Sequence, residues 1–231
     1  MKLLAFDTST ETLTIAVQCD AGGSLLFTGA GGAQASATLI AAARDLLAQA
    51  GLALRELDAI VFGRGPGSFT GLRTACSVAQ GLAYGADVPV LPVDTLMAVA
   101  EEAREREGAM RVVAVLDARM DEVYWASYAF ENGRWIRQGE FSLGRPETVT
   151  VLPGWTLAGN AFAAYAGRIA PGAARIQALP AAAALLRLAP ALLSAGQAVP
   201  ADRALPLYIR DKVAQTTEER AALRAGPAAP P

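Results

Sequence analysis

One plan runs through this chain twice, and that repetition limits its folding more than any other feature. Leu3 to Asp7 is an apolar run closed by an aspartate, and Arg111 to Asp117 is a second one. A turn follows each, Thr8-Ser9-Thr10-Glu11 in the first half and Ala118-Arg119-Met120-Asp121 in the second. Thr12 to Val17 then alternates with the period of a half-buried strand, and Val123 to Phe130 takes the equivalent place. Each half adds a third strand. Ser24 to Thr28 follows the turn at Gly22-Gly23, and Arg134 to Phe141 follows Asn132-Gly133, a strong hairpin signal.

Helices and single strands come next. In the first half a helix is predicted from Ser36 to Ala50, with Ser36 as N-cap and Gly51 just past its end. Ala59 to Gly63 reads as a buried strand, Leu72 to Tyr84 as a second helix and Val88 to Val93 as a strand. Asp94 caps a helix running to Glu107, with Gly108 as its terminator. The second half offers a strand at Thr156 to Gly159, helices at Ala161 to Ala166 and Ala181 to Ser194, and a last strand at Leu205 to Arg210. The expectation is an α/β protein of two lobes, residues 1–108 and 109–210, each built as βββαβα. That duplicated plan is the one used by actin-like, sugar-kinase-like and Hsp70-like ATPases, the ASKHA or ribonuclease H-like folds. Residues 211–231 form a tail whose Ala/Pro-rich end is expected to be disordered.

The chain contains no histidine at all. Ser-His-Asp, Cys-His and histidine-metal sites are therefore excluded for the chain alone, and no metal is expected. Cys19 and Cys76 are too few for a disulfide framework, which suits a reducing cytoplasm. Lys2 is followed by too short an apolar run for a signal sequence. The longest apolar stretch, Ala178 to Ala195, is interrupted by Pro180, Arg187 and Pro190, so a cytoplasmic protein with no membrane contact is expected. The net charge is −2 and only Lys2 and Lys212 are lysines, whereas a protein gripping a phosphate backbone by itself shows a basic excess. Tight binding of nucleic acid by the chain alone is therefore not expected.

The densest motif is Gly63-Arg64-Gly65-Pro66-Gly67-Ser68-Phe69-Thr70-Gly71-Leu72-Arg73. Two readings stay open for Gly65, Gly67 and Ser68. The glycines permit a tight turn and close approach of another backbone, while free N–H groups at the following helix start can hold an anion. The run lacks the Gly-Lys-Ser/Thr ending of a P-loop and the spacing of a dinucleotide fingerprint. Asp7 and Asp117 stand where active ASKHA enzymes place carboxylates that position metal and water at ATP phosphates. Here Thr8-Ser9 and Ala118-Arg119 follow them where such enzymes have glycines, so side chains should fill the phosphate space and Arg119 could neutralise a carboxylate. Gly159 is either part of an adenosine-binding turn or a plain strand-to-helix turn. No cofactor is expected, and binding of ATP or ADP stays open.

The first two helices carry a separate signal. Leu72, Ala75, Cys76, Ala79, Leu82, Ala83 and Ala86 form the core stripe of one, and Leu39, Ala43, Leu46, Leu47 and Ala50 that of the other. Their outer faces hold Thr74, Ser77, Gly81 and Gly85, and Ala37, Thr38, Ala41, Asp45 and Ala48. A solvated helix face usually carries Lys, Glu and Arg, and glycine costs an exposed helix about 1 kcal/mol per residue. These nine positions are the expected partner interface.

Phe62 to Arg73, with Ala79-Gln80-Gly81-Leu82-Ala83 behind it, closely resembles the TsaB family. Asp117 to Ala126, Met1 to Thr10 and Pro206-Leu207-Tyr208-Ile209-Arg210 are also similar to family segments, with the likeness weakening between Gly144 and Val199. The resemblance implies a degenerate actin-like fold. It also implies a non-catalytic subunit needed for N6-threonylcarbamoyladenosine formation in tRNA, binding a TsaD-like catalytic subunit together with a TsaE-like ATPase. The catalytic relative holds its metal with histidines, which this chain lacks. The family often has His and Gln where this chain has Ala35 and Ala37. A homodimer of the isolated chain stays open, as does a different role as an active actin-like ATPase or small-molecule kinase.

Overall fold

A computed structural model describes residues 1–19 and 23–210. The expected turn at Gly22 and the tail 211–231 lie outside the described residues. The first half gives β1 (Leu3–Asp7), β2 (Thr12–Gln18), β3 (Ser24–Ala30), α1 (Ala35–Gln49), β4 (Ala59–Gly65), α2 (Phe69–Ala86), β5 (Val90–Asp94) and α3 (Thr95–Glu107). The second gives β6 (Arg111–Arg119), β7 (Glu122–Glu131), β8 (Arg134–Gly144), β9 (Thr156–Gly159), α4 (Phe162–Tyr165), β10 (Arg175–Gln177) and α5 (Ala182–Ser194). The two sheets have the same order, β3-β2-β1-β4-β5 and β8-β7-β6-β9-β10. In both, the first three strands run antiparallel and the last two join in parallel. The protein is thus a two-lobed α/β fold with a duplicated actin-like plan. In the second copy the helix between the third and fourth strands is reduced to a short 3-10 turn, Pro146–Thr148. Among the described residues, an outer pair of long helices covers the first sheet and none covers the second.

The sheets and helices stack in layers. α1 and α2 cover one face of the first sheet over Leu4, Phe6, Leu13, Ile15, Ile60 and Phe62. α3 and α5 lie between the sheets, against Leu3, Ala5, Ala16 and Val61 on one side and Val112, Ala114, Leu116 and Ala126 on the other. Alanines on both inner faces let the helix backbones approach closely. α3, from the first half, packs on the second sheet, while α5, from the second half, crosses β1, β2 and β4 of the first. Residue 181, at the α5 N-cap, is alanine and has no capping side chain. The following Ala182 N–H instead donates to Thr14 Oγ1 on β2 at 2.9 Å.

Glu101 and Glu102 on α3 are buried, yet each is matched. Arg104 Nη2 and Arg187 Nε donate to Glu101 Oε1 at 2.8 and 2.9 Å, and Trp135 Nε1 donates to Oε2 at 2.9 Å. Arg187 Nη2 also reaches Glu102 Oε1 at 2.6 Å. Burial alone would raise the Glu101 pKa, but the hydrogen bonds from Arg104, Trp135 and Arg187 outweigh it and hold the carboxyl below its ordinary value. α3, α5 and β8 are joined at this point.

Several boundaries move. Gln34, not Ser36, is the N-cap of α1, because a 3-10 turn at Gly32–Gln34 leads into the helix and the Ser36 hydroxyl donates back to the Ala33 carbonyl at 3.0 Å. α2 begins at Phe69, with Ser68 as the cap. Asp94 is the α3 N-cap residue, but its side chain is taken by Arg64, with Nε and Nη2 both 2.7 Å from Oδ1. Leu205 to Arg210 is not a strand. Its backbone meets the Arg64 carbonyl through Leu207 N–H at 2.7 Å and forms no ladder. The short β10 has no counterpart in the sequence reading.

Candidate functional site

The glycine run and the turn after β1 fold against each other. Ser68 N–H donates to the Ser9 carbonyl at 2.7 Å, and Thr8 Oγ1 donates to the Gly71 carbonyl at 2.7 Å. A Cβ on Gly67 would lie 2.6 Å from the Ser9 carbonyl oxygen, and one on Gly65 would lie 2.6 Å from that of Leu207. A Cβ on Gly71 would collide with the Thr8 carbonyl. The chain's own backbone therefore occupies the space that these glycines leave, and φ of +120° at Gly65 itself favours glycine.

Asp7 is fully buried. Its Oδ1 accepts from Ser9 N–H at 2.9 Å and Ser9 Oγ at 2.6 Å, whereas Oδ2 has no hydrogen-bond partner and lies beside Gly63. Burial pushes its pKa up to about 6, against the smaller opposing effect of Ser9. Asp117, at the matching point of β6, is in a different state. Oδ1 accepts from Arg119 N–H at 2.8 Å and Tyr165 OH at 3.0 Å, and Arg119 Nη1 stands 3.3 Å from Oδ2. Asn160 Oδ1 accepts from Asp117 N–H at 2.9 Å.

Between these two strand ends lies a cavity of about 360 Å³. Gly67, Ser68, Asp117, Arg119 and Asn160 line it, while Asp7, Gly65 and Gly159 do not. Gly159 faces the β6 backbone instead, where a Cβ would run into the Val115 carbonyl. One wall is the segment Leu207 to Arg210, which spans the two lobes. Tyr208 packs on Phe69 with ring centroids 5.5 Å apart and accepts a hydrogen bond from Arg73 Nε at 3.0 Å. Arg210 crosses to the second lobe, reaching the Ala118 carbonyl at 3.1 Å and Glu122 at 2.6 Å. This strap is not legible in the sequence beyond Pro206, Tyr208 and Arg210 in an otherwise strand-like run.

The helix-face residues stand on one outer surface. Ala37, Ala41, Asp45, Ala48, Ser77, Gly81 and Gly85 are exposed, and Thr38 and Thr74 are half-buried. Apart from the adjoining residues and the helix's own backbone, nothing lies within 4 Å of a Cβ placed on Gly81 or Gly85. Tyr84, beside Gly85, is 84% exposed. The core stripes point the other way, with Leu39, Ala43, Leu46, Leu72, Ala75 and Ala79 buried. Ala35 is buried too, whereas Ala37 is open to solvent. Among the described residues, no helix is long and apolar enough to cross a membrane.

The family described as "TsaD: tRNA N6-adenosine threonylcarbamoyltransferase" matches residues 32–141, from before α1 into β8. An Escherichia coli (strain K12) relative, the tRNA threonylcarbamoyladenosine biosynthesis protein TsaB, is 36% identical over 226 residues, covering 93% of this chain and 96% of the relative. A Haemophilus influenzae protein of the same name is 44% identical over 141 residues, 58% of this chain and 56% of its own length. The solved structure of YeaZ from Pseudomonas aeruginosa superposes with a TM-score of 0.84 at 41% identity, covering 90% of this chain and 99% of that one. With likeness to the Escherichia coli protein running through nearly all of both chains, this chain belongs to the TsaB family of tRNA threonylcarbamoyladenosine biosynthesis proteins.

Proposed function

We propose that this protein is a non-catalytic subunit in the formation of N6-threonylcarbamoyladenosine in tRNA. It seats a TsaD-like catalytic subunit on the outer face of α1 and α2 and works with a TsaE-like ATPase. The carrying observation is that face itself, where small residues at Ala37, Ala41, Ser77, Gly81 and Gly85 are exposed together. Such a surface lets the backbones of a second helix pair approach closely. Family membership supplies the pathway, through the names of the Escherichia coli and Haemophilus influenzae relatives.

The cleft supports the non-catalytic half of this proposal. A carboxylate serving a metal or a water needs a free oxygen aimed at the reacting group. The Asp117 carboxylate is engaged by Arg119 and Tyr165, and Asp7 does not line the cavity. The residue set Asp7, Gly65, Gly67, Ser68, Asp117 and Gly159 is then the remnant of a nucleotide cleft, with lobes at 1–108 and 109–210 on either side. tRNA is reached only through the complex.

Reconstitution tests this. Modified nucleoside should form only when the protein is combined with its TsaD-like and TsaE-like partners and ATP, and the protein alone should not turn over ATP. Steady hydrolysis by the isolated protein that disappears in Asp7→Asn would establish an ATPase instead.

A further inference from the structure

Arg73, exposed near the start of α2, is held by aromatic rings. Its guanidinium carbon lies 3.8 Å from the ring centre of Phe69 and 5.9 Å from that of Tyr208, and its Nε donates to Tyr208 OH at 3.0 Å. Around the cleft, Arg64, Arg119 and Arg210 each meet a carboxylate, at Asp94, Asp117 and Glu122. Arg73 meets none among the described residues, and both of its Nη groups are left without an acceptor there. The side chain is therefore ordered, charged and only partly used.

It opens on a shallow groove between the starts of α1 and α2, lined with hydroxyls by Ser36, Thr70, Thr74 and Ser77 and by no carboxylate. Ser36 and Thr74 spend their protons on the Ala33 and Thr70 carbonyls, each at 3.0 Å. Thr70 and Ser77, one turn before and one turn after Arg73, have hydroxyls with no partner among the described residues. At helical spacing Arg73, Ser77, Gly81 and Tyr84 fall in one line along α2. The rise of a helix puts Arg73 about 12 Å along the axis from Gly81. One face of α2 thus has a cationic, donor-rich end and a small, open end.

We propose that Arg73 is the charged anchor of the α1/α2 face and receives an aspartate or glutamate from a helix of the partner. The inference rests on the subunit role argued above and adds the partner's chemistry. That helix lays small or apolar residues over Ser77 and Gly81 and carries its acid about two turns away, towards the start of α2. The planar guanidinium can take both carboxylate oxygens at once. Stacked on Phe69, it has little freedom left to lose on binding. A helix closing over it expels water, which strengthens the pair. Ordered arginines of this kind are common binding hot spots. A phosphate would satisfy the same donors, but the net charge of −2 and the small residues continuing from the groove favour a helix over a nucleic-acid strand.

Titration calorimetry of the full chain with the TsaD-like subunit, in the absence of tRNA, tests the idea. Arg73→Gln, at an exposed site, should stay folded and bind about tenfold or more weakly. Arg73→Glu should lose binding and regain it when one aspartate or glutamate of the partner's docking helix is changed to arginine; if no such change restores it, the proposal fails. Arg210→Gln loosens the far end of the strap that carries Tyr208 and should bind as the parent does. An equal loss there would mean that Arg73 acts by holding the strap, and would overturn the proposal. Parent-like binding by Arg73→Gln beside lost binding by Gly81→Arg would also overturn it, while leaving the face as the interface. Normal binding by both variants would remove the face and the anchor together. A loss that appears only when tRNA is added would assign these donors to a phosphate and overturn the proposal as well.

Discussion

The Oδ2 oxygen of Asp7 lies beside Gly63 with no hydrogen-bond donor to meet it. Side chains elsewhere in the fold show how such groups are normally matched, as at Glu101 with Arg104, Trp135 and Arg187. The difference makes Asp7 a titrating liability.

Stability should fall as pH rises from about 4 to about 6. Below the unfolded value of 3.8, Asp7 is protonated in both states and burial carries no ionisation penalty. Between 3.8 and about 6 the unfolded chain ionises while the folded one holds its proton, and above that the full penalty persists. The shift corresponds to about 3 kcal/mol. Asp7→Asn should remove that slope and be more stable at pH 7.5 by up to that amount. Denaturant melts at pH 4 and 7.5 measure it; a variant less stable than the parent at pH 7.5 would contradict the account.

Gly159→Ala and Gly81→Ala should have opposite signs. At Gly159 the added methyl meets the Val115 carbonyl of the neighbouring strand, which cannot move without disturbing the β6–β9 pairing, and the loss should be about 3 kcal/mol or more. At Gly81 the methyl enters open space on a helix, and a gain of at most about 1 kcal/mol is expected. Paired thermal melts read both.

Arg187→Met should cost about 3 kcal/mol or more, because it strips one donor from Glu101 and the closer of two from Glu102 while both carboxylates stay buried. Trp135, whose N–H donates to Glu101, is a local reporter. Its fluorescence should change with unfolding at markedly lower denaturant. A melt within experimental error of the parent would show that the cluster contributes little.

Gly81→Arg should abolish capture of the TsaD-like partner without lowering the melting temperature, since the side chain projects from the exposed helix face. Ala79→Arg, one turn apart in purpose though only two residues away, drives a charge into the core and should unfold the protein. Pull-down beside thermal melts separates the two. Normal capture by Gly81→Arg would remove this face from consideration.

Isolated protein should bind tRNA weakly at near-physiological salt. The net charge is −2, and binding to a phosphate backbone draws on counterion release by basic residues. Submicromolar affinity in an anisotropy titration of the protein alone would refute this.

The sequence was most informative where one residue type has one physical use. A continuous apolar run placed β1, alternation placed β2, and the stripe through Leu72, Ala75 and Ala79 oriented α2 so that its outer face could be named. It was least informative where a distant partner decides. Ala181 gives no sign that Thr14 will cap its helix, and Leu205 to Arg210 has the composition of a strand but becomes a strap because Arg64, Arg73 and Glu122 receive it. Arg119 beside Asp117 was legible as a neutralising pair; the third contact, from Tyr165, depends on the short α4 and was not.

The crossing of α5 beneath the first sheet has a consequence for synthesis. Its residues, Ala182–Ser194, leave the ribosome roughly 100 residues after β5 is complete, a delay of about 5–20 s at typical elongation rates. Until then the part of the sheet that α5 will cover, around Ala5, Ala16 and Val61, has no lid, and the nascent chain carries an apolar surface with nothing of its own to close it. A message truncated between Asp94 and Ala182 would therefore release a fragment with that surface bare, not a smaller working protein.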